Sequence, residues 1–598
     1  VGVDTGGTFT DFVRLDRAGP RVYKLRTSQP HPVDAIAAGL AAIASDAPHA
    51  PVVCGSTIAT NAVLERKGGR VALVTTSGFE DILAIGRQTR LSLYDLNAPG
   101  RRPLVPTDLT FGVAGRIDSE GEEIEPLDER SLRSLVDQLR ASRAEAVAVC
   151  LLHSYANPRH EARVSEMLRR EGRLVSASHE ILPEYREYER ASTTAVNAYV
   201  QPRVEEYLGR LETALPGRRV SVMQSNGGAI STRVARREAV RTILSGPAAG
   251  VVGARLVAEA AGFARAISFD AGGTSTDVSV IDGRIELSSE TNVGDVPVRV
   301  PVIDIHTVGA GGGSIARVDG GGGLVVGPES AGADPGPACY GAGTDFTVTD
   351  AHLLLGRLDA GFFLGGRMAL DPARALRAAR PLARALGAST DEVAEAVVRV
   401  ANARMERAIR VVSLERGHDP RRFALVAFGG AGGMHAAELA EALGIRSVIV
   451  PRHAGVLSAL GMLAADVVRD YSISVRKPSG ALTLGTLERL VGPLVRRARR
   501  DLAREGFHGS RQLAERRLDV RYVGQSYELS VPWSAGYVAS FHALHERRYG
   551  YSDPTRPTEV VALRVRGIGV TSKPPLEPAR RTRKMPRPAA VRRSRFGG

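Results

Sequence analysis

The chain has 598 residues, 43% hydrophobic and 24% charged, an ordinary globular composition with material for several cores. Its three cysteines, Cys54, Cys150 and Cys339, lie far apart without a CxxC pair, which excludes a disulfide framework and a cysteine-built zinc site and suits a reducing, cytoplasmic setting. Of the net charge of +14, +8 lies between Lys573 and Arg595 among prolines, so the body is nearly balanced; that segment reads as extended, and no nucleic-acid partner, membrane span or signal peptide is expected.

The chain opens on only Val1 to Val3 before an acid, and this end reads as incomplete. Asp4 to Asp11 reads DTGGTFTD, a hairpin with a tip suited to an anion. Gly6 and Gly7 lack the Cβ atoms that would hold a ligand off the backbone, and Thr8 adds a hydroxyl. Asp4 and Asp11 would repel phosphate directly, but they fit a site where Mg²⁺ stands between acid and phosphate. A helix is predicted over 33–46, a short strand at 52–53, a Ser/Thr-capped helix within 55–68 and a strand over 71–75. Arg87 and Arg90 read as surface charges rather than anion ligands. From Leu127 the order is helix, strand (146–152), helix, strand (174–178), the alternation of a parallel or mixed sheet. A long helix follows over 187–215, in which Asn197 and Tyr199 face either a cleft, a neighbour or buried helix packing.

After a strand at 220–223 and a glycine-rich helix start at 244–254, Asp270 to Asp277 reads DAGGTSTD and matches the first hairpin at six of eight positions. Alone it is either an ordinary tight turn or an anion site. With its copy, it implies two related domains facing one nucleotide, with Gly272, Gly273 and Thr274 at the second tip. There is no Gly-Lys pair in the chain, which excludes a P-loop. Glycine clusters at 308–316 and 318–341 suggest backbone approaching a ligand or closing over one, with Gly311 and Gly312 as candidate substrate contacts. Asp304 and His306 form either a metal or catalytic couple or a structural pair. A helix over 391–416 precedes FGGAGGMH, in which Gly429, Gly430 and Gly432 suit a flat platform under a nucleoside; His435 either bonds the nucleotide or caps the following helix. A boundary near 477–480 precedes a helix (486–505), strands at 518–523 and 527–531, a further helix and a strand at 560–565.

Three nucleotide-type elements in this order resemble the actin, hexokinase and heat-shock chaperone ATPases. More narrowly, VGVDTGGTFTD, GSTIATNAVLERKG, CLLHSYANPRHE, LSGPAAGVVGA, DAGGTSTDV, DIHTVGAGGGSIA, SAGADPGPACYG, TVTDAHLLLGRL, ERGHDPRRFALVAFGGAGGMHA and RYVGQSYEL resemble the hydantoinase A / 5-oxoprolinase family from residue 1 to about 570. The resemblance implies an α/β fold with two actin/hexokinase-like ATPase domains around a nucleotide cleft and an incomplete C-terminal α+β module. The implied spans are 1–180, 190–478 and 485–570, followed by a basic proline-rich stretch over 571–598. It also implies ATP-dependent ring opening of a cyclic amide or imide, such as 5-oxoproline or a hydantoin. Asp4 and Asp270 would orient Mg²⁺, Asp11 and Asp277 would support the hairpins or the metal's waters, the two glycine tips would cradle ATP phosphates, and the platform would seat the nucleoside. Family members work with a B-type subunit, and homo-dimerisation is expected. Ketone carboxylase subunits share the motifs, and a nucleotide-gated, non-enzymatic binding module is a third reading. The sequence departs from the family pattern at His352, where asparagine is expected, and at Gly433 and Met434, where proline and leucine are usual. Relatives continue beyond a segment like VRRSRFGG into a further β-rich portion.

Overall fold

Both acid-glycine segments fold as antiparallel hairpins in one register. Strand Gly2–Thr5 pairs with Phe9–Asp16 so that Asp4 faces Asp11 and Thr5 faces Thr10. Strand Arg265–Ala271 pairs with Thr276–Asp282 so that Asp270 faces Asp277 and Ala271 faces Thr276. Each turn closes with the same bond: Gly6 N–H donates to the Phe9 carbonyl and Gly272 N–H to the Ser275 carbonyl, both at 3.0 Å. The sequence repeat is therefore a repeat of backbone geometry. The computed structural model describes the chain apart from residues 8, 17–18, 29–30, 90–93, 96, 98–101, 575, 577–587, 589 and 597–598, so Thr8 and Arg90 lie outside the described residues. Arg87 is ion-paired with Glu189 at 2.6 Å.

The chain divides into two compact units, each assembled from separated segments rather than from the linear spans expected above. The first comprises 1–248, 287–302 and 462–573, and the second 249–286, 303–461 and 574–598.

In the first unit, ten described strands form one sheet in the order Leu529–Pro532, Gln512–Tyr522, Thr558–Gly569, Val467–Pro478, Ala229–Ser231, Val220–Met223, Val52–Ser56, Gly2–Thr5, Phe9–Asp16, Gly19–Arg26. The strands beyond residue 467 thus continue the sheet that holds the first hairpin, joined through the bridge of Ala229 to Val467. Helix Leu484–Arg504 has the apolar stripe of a packed surface helix, burying Leu487, Val491, Ala498 and Leu502. A second, parallel sheet orders Leu174–Ala177, Ala146–Cys150, Val71–Thr76 and Thr110–Val113, as the α/β alternation predicts. Between Ile58 and Leu64 the expected helix is only seven residues long, and Thr57 makes no side-chain cap.

Helix Glu187–Ala214 continues through Pro202 and is buried without interruption from Glu189 to Gln201. This settles the open reading of Asn197: its amide donates to Ser176 Oγ at 2.8 Å and to the Arg237 carbonyl at 2.9 Å, and its oxygen accepts from Val240 N–H at 3.0 Å. Tyr199 packs where a Cβ on Gly68 would lie 2.2 Å from its ring, so both residues serve buried packing.

A buried charge network ties the distant segments of this unit together. Glu184, 2% exposed, accepts from Arg564 Nη1 at 2.8 Å and Nη2 at 3.1 Å and from Arg299 Nε at 3.1 Å. Arg564 Nε also donates to Asp519 at 2.5 Å, and Glu528 pairs with Arg299 and with Arg186, the latter at 2.8 Å.

The second unit is built on a five-stranded sheet ordered His306–Val308, Thr276–Asp282, Arg265–Ala271, Ala424–Phe428, Ser447–Ile449. Its middle strand is buried from Ala266 to Phe269 ahead of the acid, with Ile267 and Phe269 in a core shared with Leu425, Met405 and Leu439. Helix Thr390–Val412 starts in a capping box of Ser389 and Glu392, and helix Gly432–Leu443 ends at Gly444, whose φ of 67° suits glycine. Among the described residues no helix is long and apolar enough to cross a membrane.

Candidate functional site

In the second unit, the middle strand delivers Asp270 to the sheet's end, in parallel register with Phe428, the last residue before the glycine turn. Gly429 turns there with φ +82°; a Cβ on it would lie 2.3 Å from Asp270 Oδ1 and 2.5 Å from the Ala271 carbonyl. Ala431 N–H then donates to the same Ala271 carbonyl at 2.8 Å. The loop at 311–313 closes on the hairpin tip from another direction. Gly312 N–H donates to the Gly272 carbonyl at 3.0 Å and Gly313 N–H to the Gly273 carbonyl at 2.6 Å, while a Cβ on Gly311 would lie 2.8 Å from the Gly272 carbonyl. Thr349 anchors this loop, its N–H and hydroxyl both donating to the Gly312 carbonyl, at 2.7 and 2.8 Å. Three glycine clusters far apart in sequence therefore meet at one hairpin. Gly273 and Gly430 keep open space where a Cβ would stand, and Gly272 meets only the Ser275 carbonyl at 3.6 Å, next to Thr274 at the tip.

Gly429→Ala is the sharpest probe of this packing. The added methyl meets a carboxylate and a backbone carbonyl, and the positive φ disfavours any side chain. The expected result is a loss of stability of about 1–3 kcal/mol, read by chemical denaturation. Gly430→Ala, which meets open space, is expected to stay near the parent.

The remaining candidates around the second hairpin hold different positions. Burial raises the Asp277 carboxyl to about 6 despite the Thr307 hydroxyl, which donates to it at 2.5 Å. Asp304 is ion-paired with Arg416, and His306 stands opposite Val278 in the sheet. Among the described residues no group of three or more His, Cys, Asp or Glu is placed to hold a metal ion. His435 is wholly buried in the first turn of its helix, with Nδ1 2.6 Å from Asn402 Oδ1 and Nε2 3.2 Å from His352 Nε2. Burial, helped by nearby Arg357, lowers its pKa to about 4, so the ring is neutral. Asn402, Thr307 and Thr349 escaped the sequence reading; the signal available was His352, the departure from the family pattern, which proves to touch His435.

In the first unit, Asp4 occupies the equivalent place on its hairpin. Cβ atoms on Gly55 and Gly246 would stand 3.2 and 3.5 Å from Asp4 Oδ1, so its carboxylate too is walled by glycine. Burial, reinforced by Asp11 across the hairpin, raises the Asp4 carboxyl to about 7. Asp11 pairs with Lys24 at 2.6 Å. Gly6 closes the turn, and Gly7 has open space where a Cβ would stand. Thr5 Oγ1 is buried at this tip with no hydrogen-bond partner among the described residues.

Comparisons with known proteins agree over the chain. A family model described as hydantoinase/oxoprolinase matches residues 190–471, and one described as the hydantoinase/oxoprolinase N-terminal region matches 1–172. The chain is 38% identical to caprolactamase subunit alpha of Pseudomonas jessenii over 609 residues, covering 96% of this chain and 88% of that one. The crystal structure of ATP-dependent caprolactamase from Pseudomonas jessenii superposes with a TM-score of 0.88 at 36% identity, over 96% of this chain and 88% of that one. 5-oxoprolinase 1 of Arabidopsis thaliana is 37% identical over 566 residues, 87% of this chain but 44% of the plant protein. A nucleotide-free acetone carboxylase structure gives a TM-score of 0.75 at 29% identity, over 96% of this chain and 89% of that one.

Proposed function

Because the chain belongs to the hydantoinase/oxoprolinase family, we propose that it uses ATP to open the ring of a cyclic amide or imide, a lactam, 5-oxoproline or a hydantoin. The observation that carries this reading is the repeated hairpin, with acid opposite acid, a glycine tip and the same closing bond in each copy. The similarity to an ATP-dependent caprolactamase supports ATP as the co-substrate.

An amide carbonyl is a poor electrophile. In the proposed reaction the γ-phosphoryl group passes to the carbonyl oxygen and ADP leaves. Water then adds at the activated carbon, the ring C–N bond breaks to free the amine, and a second water releases phosphate from the acyl group. The chain's part is positioning and charge stabilisation. Backbone N–H groups of Gly6, Gly7, Gly272 and Gly273 are assigned to ATP phosphates, with the Thr8 and Thr274 hydroxyls; Gly429, Gly430 and Gly432 are assigned to the nucleoside. His435 supports that platform from beneath. Gly311 and Gly312 shape the second tip, and a substrate contact there is part of the proposal, as is one for Asp304 and His306.

Asp4 and Asp270 suit Mg²⁺. Both offer hard carboxylate oxygens beside a phosphate-type tip, and the raised pKa of Asp4 shows that burial and the neighbouring Asp11 outweigh Lys24, a cost that a cation would relieve. The metal would neutralise phosphate charge. Asp11 and Asp277, opposite them, hold the hairpins. A B-type partner subunit is proposed on the ground that the caprolactamase relative is named a subunit alpha, and a homodimer of this chain is proposed with it.

The likeness to acetone carboxylase favours a second reading, ATP-dependent ketone carboxylation. ADP release measured with caprolactam, 5-oxoproline, a hydantoin, and acetone plus bicarbonate, with and without a B-type subunit, separates the two. Stimulation by a cyclic amide is the expected result, and stimulation by ketone alone would reject the lactam reading.

A further inference from the structure

Within the arginine-rich stretch that the sequence reads as extended, Arg592–Phe596 is docked on the second unit. Arg595 N–H donates to the Leu355 carbonyl at 3.0 Å, Ser594 Oγ to the Gly356 carbonyl at 2.7 Å and Arg592 Nη2 to the Arg357 carbonyl at 3.1 Å. Arg592 and Arg595 pair with Asp359 and Asp391 at 3.4 and 2.7 Å. Gly356 has φ +70°, and a Cβ on it would lie 2.3 Å from the Arg593 carbonyl, so the docking surface requires glycine there.

One side chain carries this contact inward. Arg357, 8% exposed, donates Nε to the Arg595 carbonyl at 2.7 Å, and its guanidinium lies 4.4 Å from the centre of the Phe596 ring. Its Nη2 donates to Glu438 Oε1 at 2.8 Å; Glu438 Oε2 accepts from Asn402 Nδ2 at 2.5 Å, and Asn402 Oδ1 faces His435 Nδ1 at 2.6 Å. An amide oxygen only accepts, so His435 carries its proton on Nδ1, and its Nε2 accepts from His352 Nε2–H. The bonds therefore run unbroken from the docked segment to both His435 and Glu438. These two residues lie about one turn apart on helix Gly432–Leu443, which begins in the glycine turn.

We propose that Arg592–Phe596 is a strap and Arg357 a positioning residue, together fixing the helix that sets the glycine turn at 429–432. That this turn seats a nucleotide rests on the proposed function; the strap does not. The test is hydrogen exchange in the parent, in a form lacking residues 591–598, and in Arg357→Ala and Arg357→Lys. Peptides over 429–443 are expected to exchange about tenfold faster in the truncation and in Arg357→Ala, with partial rescue by lysine, while peptides over 512–522 in the first unit stay unchanged. With ATP as substrate, its KM is expected to rise about tenfold with kcat altered less than twofold, the pattern of weakened binding. Unchanged exchange over 429–443 in the truncated protein would overturn the strap whatever the kinetics. Faster exchange in a protein without ATP turnover would uphold the strap and reject the nucleotide reading.

Discussion

Asp270→Asn is expected to leave the protein folded and to lower lactam-dependent ADP release by about 100- to 1,000-fold. The substitution keeps the shape of the side chain beside Gly429, removes its charge and turns one accepting oxygen into a donating NH2. A structural role for the carboxylate would appear as a lowered denaturation midpoint. A role in holding a cation against phosphate would appear in kcat, because the charge that builds on the transferring group is what the acid and metal together stabilise. Asp4→Asn is expected to behave alike, since Asp4 holds the same register on its own hairpin. The double variant is expected to lose little more than either single one, as groups acting as a unit are not additive. Full turnover in Asp270→Asn would remove this acid from the site.

Glu184→Ala is expected to destabilise the first unit by about 3–5 kcal/mol, the cost of removing from a buried ion network the acceptor that Arg299 and Arg564 share, leaving each hydrogen-bonded to its second carboxylate, Glu528 and Asp519 respectively. Chemical denaturation reads this directly, and Glu184→Gln, which keeps the packing, is expected to lose less. The same carboxylate gives the stability a pH dependence. Burial alone would raise its pKa, but Arg564 and Arg299 outweigh burial and hold it at about 2 rather than 4.5. Its contribution is therefore complete above about pH 4.5 and is lost as pH falls toward 2, a decline that the alanine variant should lack. Parallel acid profiles for the two proteins would show that Glu184 contributes no such term.

Local chemistry made the hairpins legible, because acids, glycines and hydroxyls in a fixed order specify a tight turn between two short strands. The α/β alternation from Leu127 to Ala177 was legible for a similar reason: each element carries its own period. Helix Glu187–Ala214 was legible as a helix, but not what Asn197 faces: from Glu189 to Gln201 the helix is buried on every side and has no polar face to mark, and Asn197 finds partners near 176 and 240 instead of a cleft. Periodicity failed beyond residue 467, where the strands alternate as expected but nothing in the alternation says which sheet they extend. The partners that decide it, Glu184, Arg299, Asp519 and Arg564, are spread over hundreds of residues and are individually ordinary surface-type residues. At the candidate site the glycine clusters were visible, but the bonds joining 272 to 312 and 271 to 431 were not. Nor was the support beneath His435, whose members Arg357, Asn402 and Glu438 have no motif in common.

The activity proposed for this chain consumes ATP to open a cyclic amide. Its most direct test is the stoichiometry of ADP to ring-opened product, measured with the B-type subunit present and with the cyclic amide that stimulates best. One ADP per ring opened, and no ring opening without ATP, is the expected result. Ring opening that proceeds without ATP, or ADP release that ignores every cyclic amide, would contradict it.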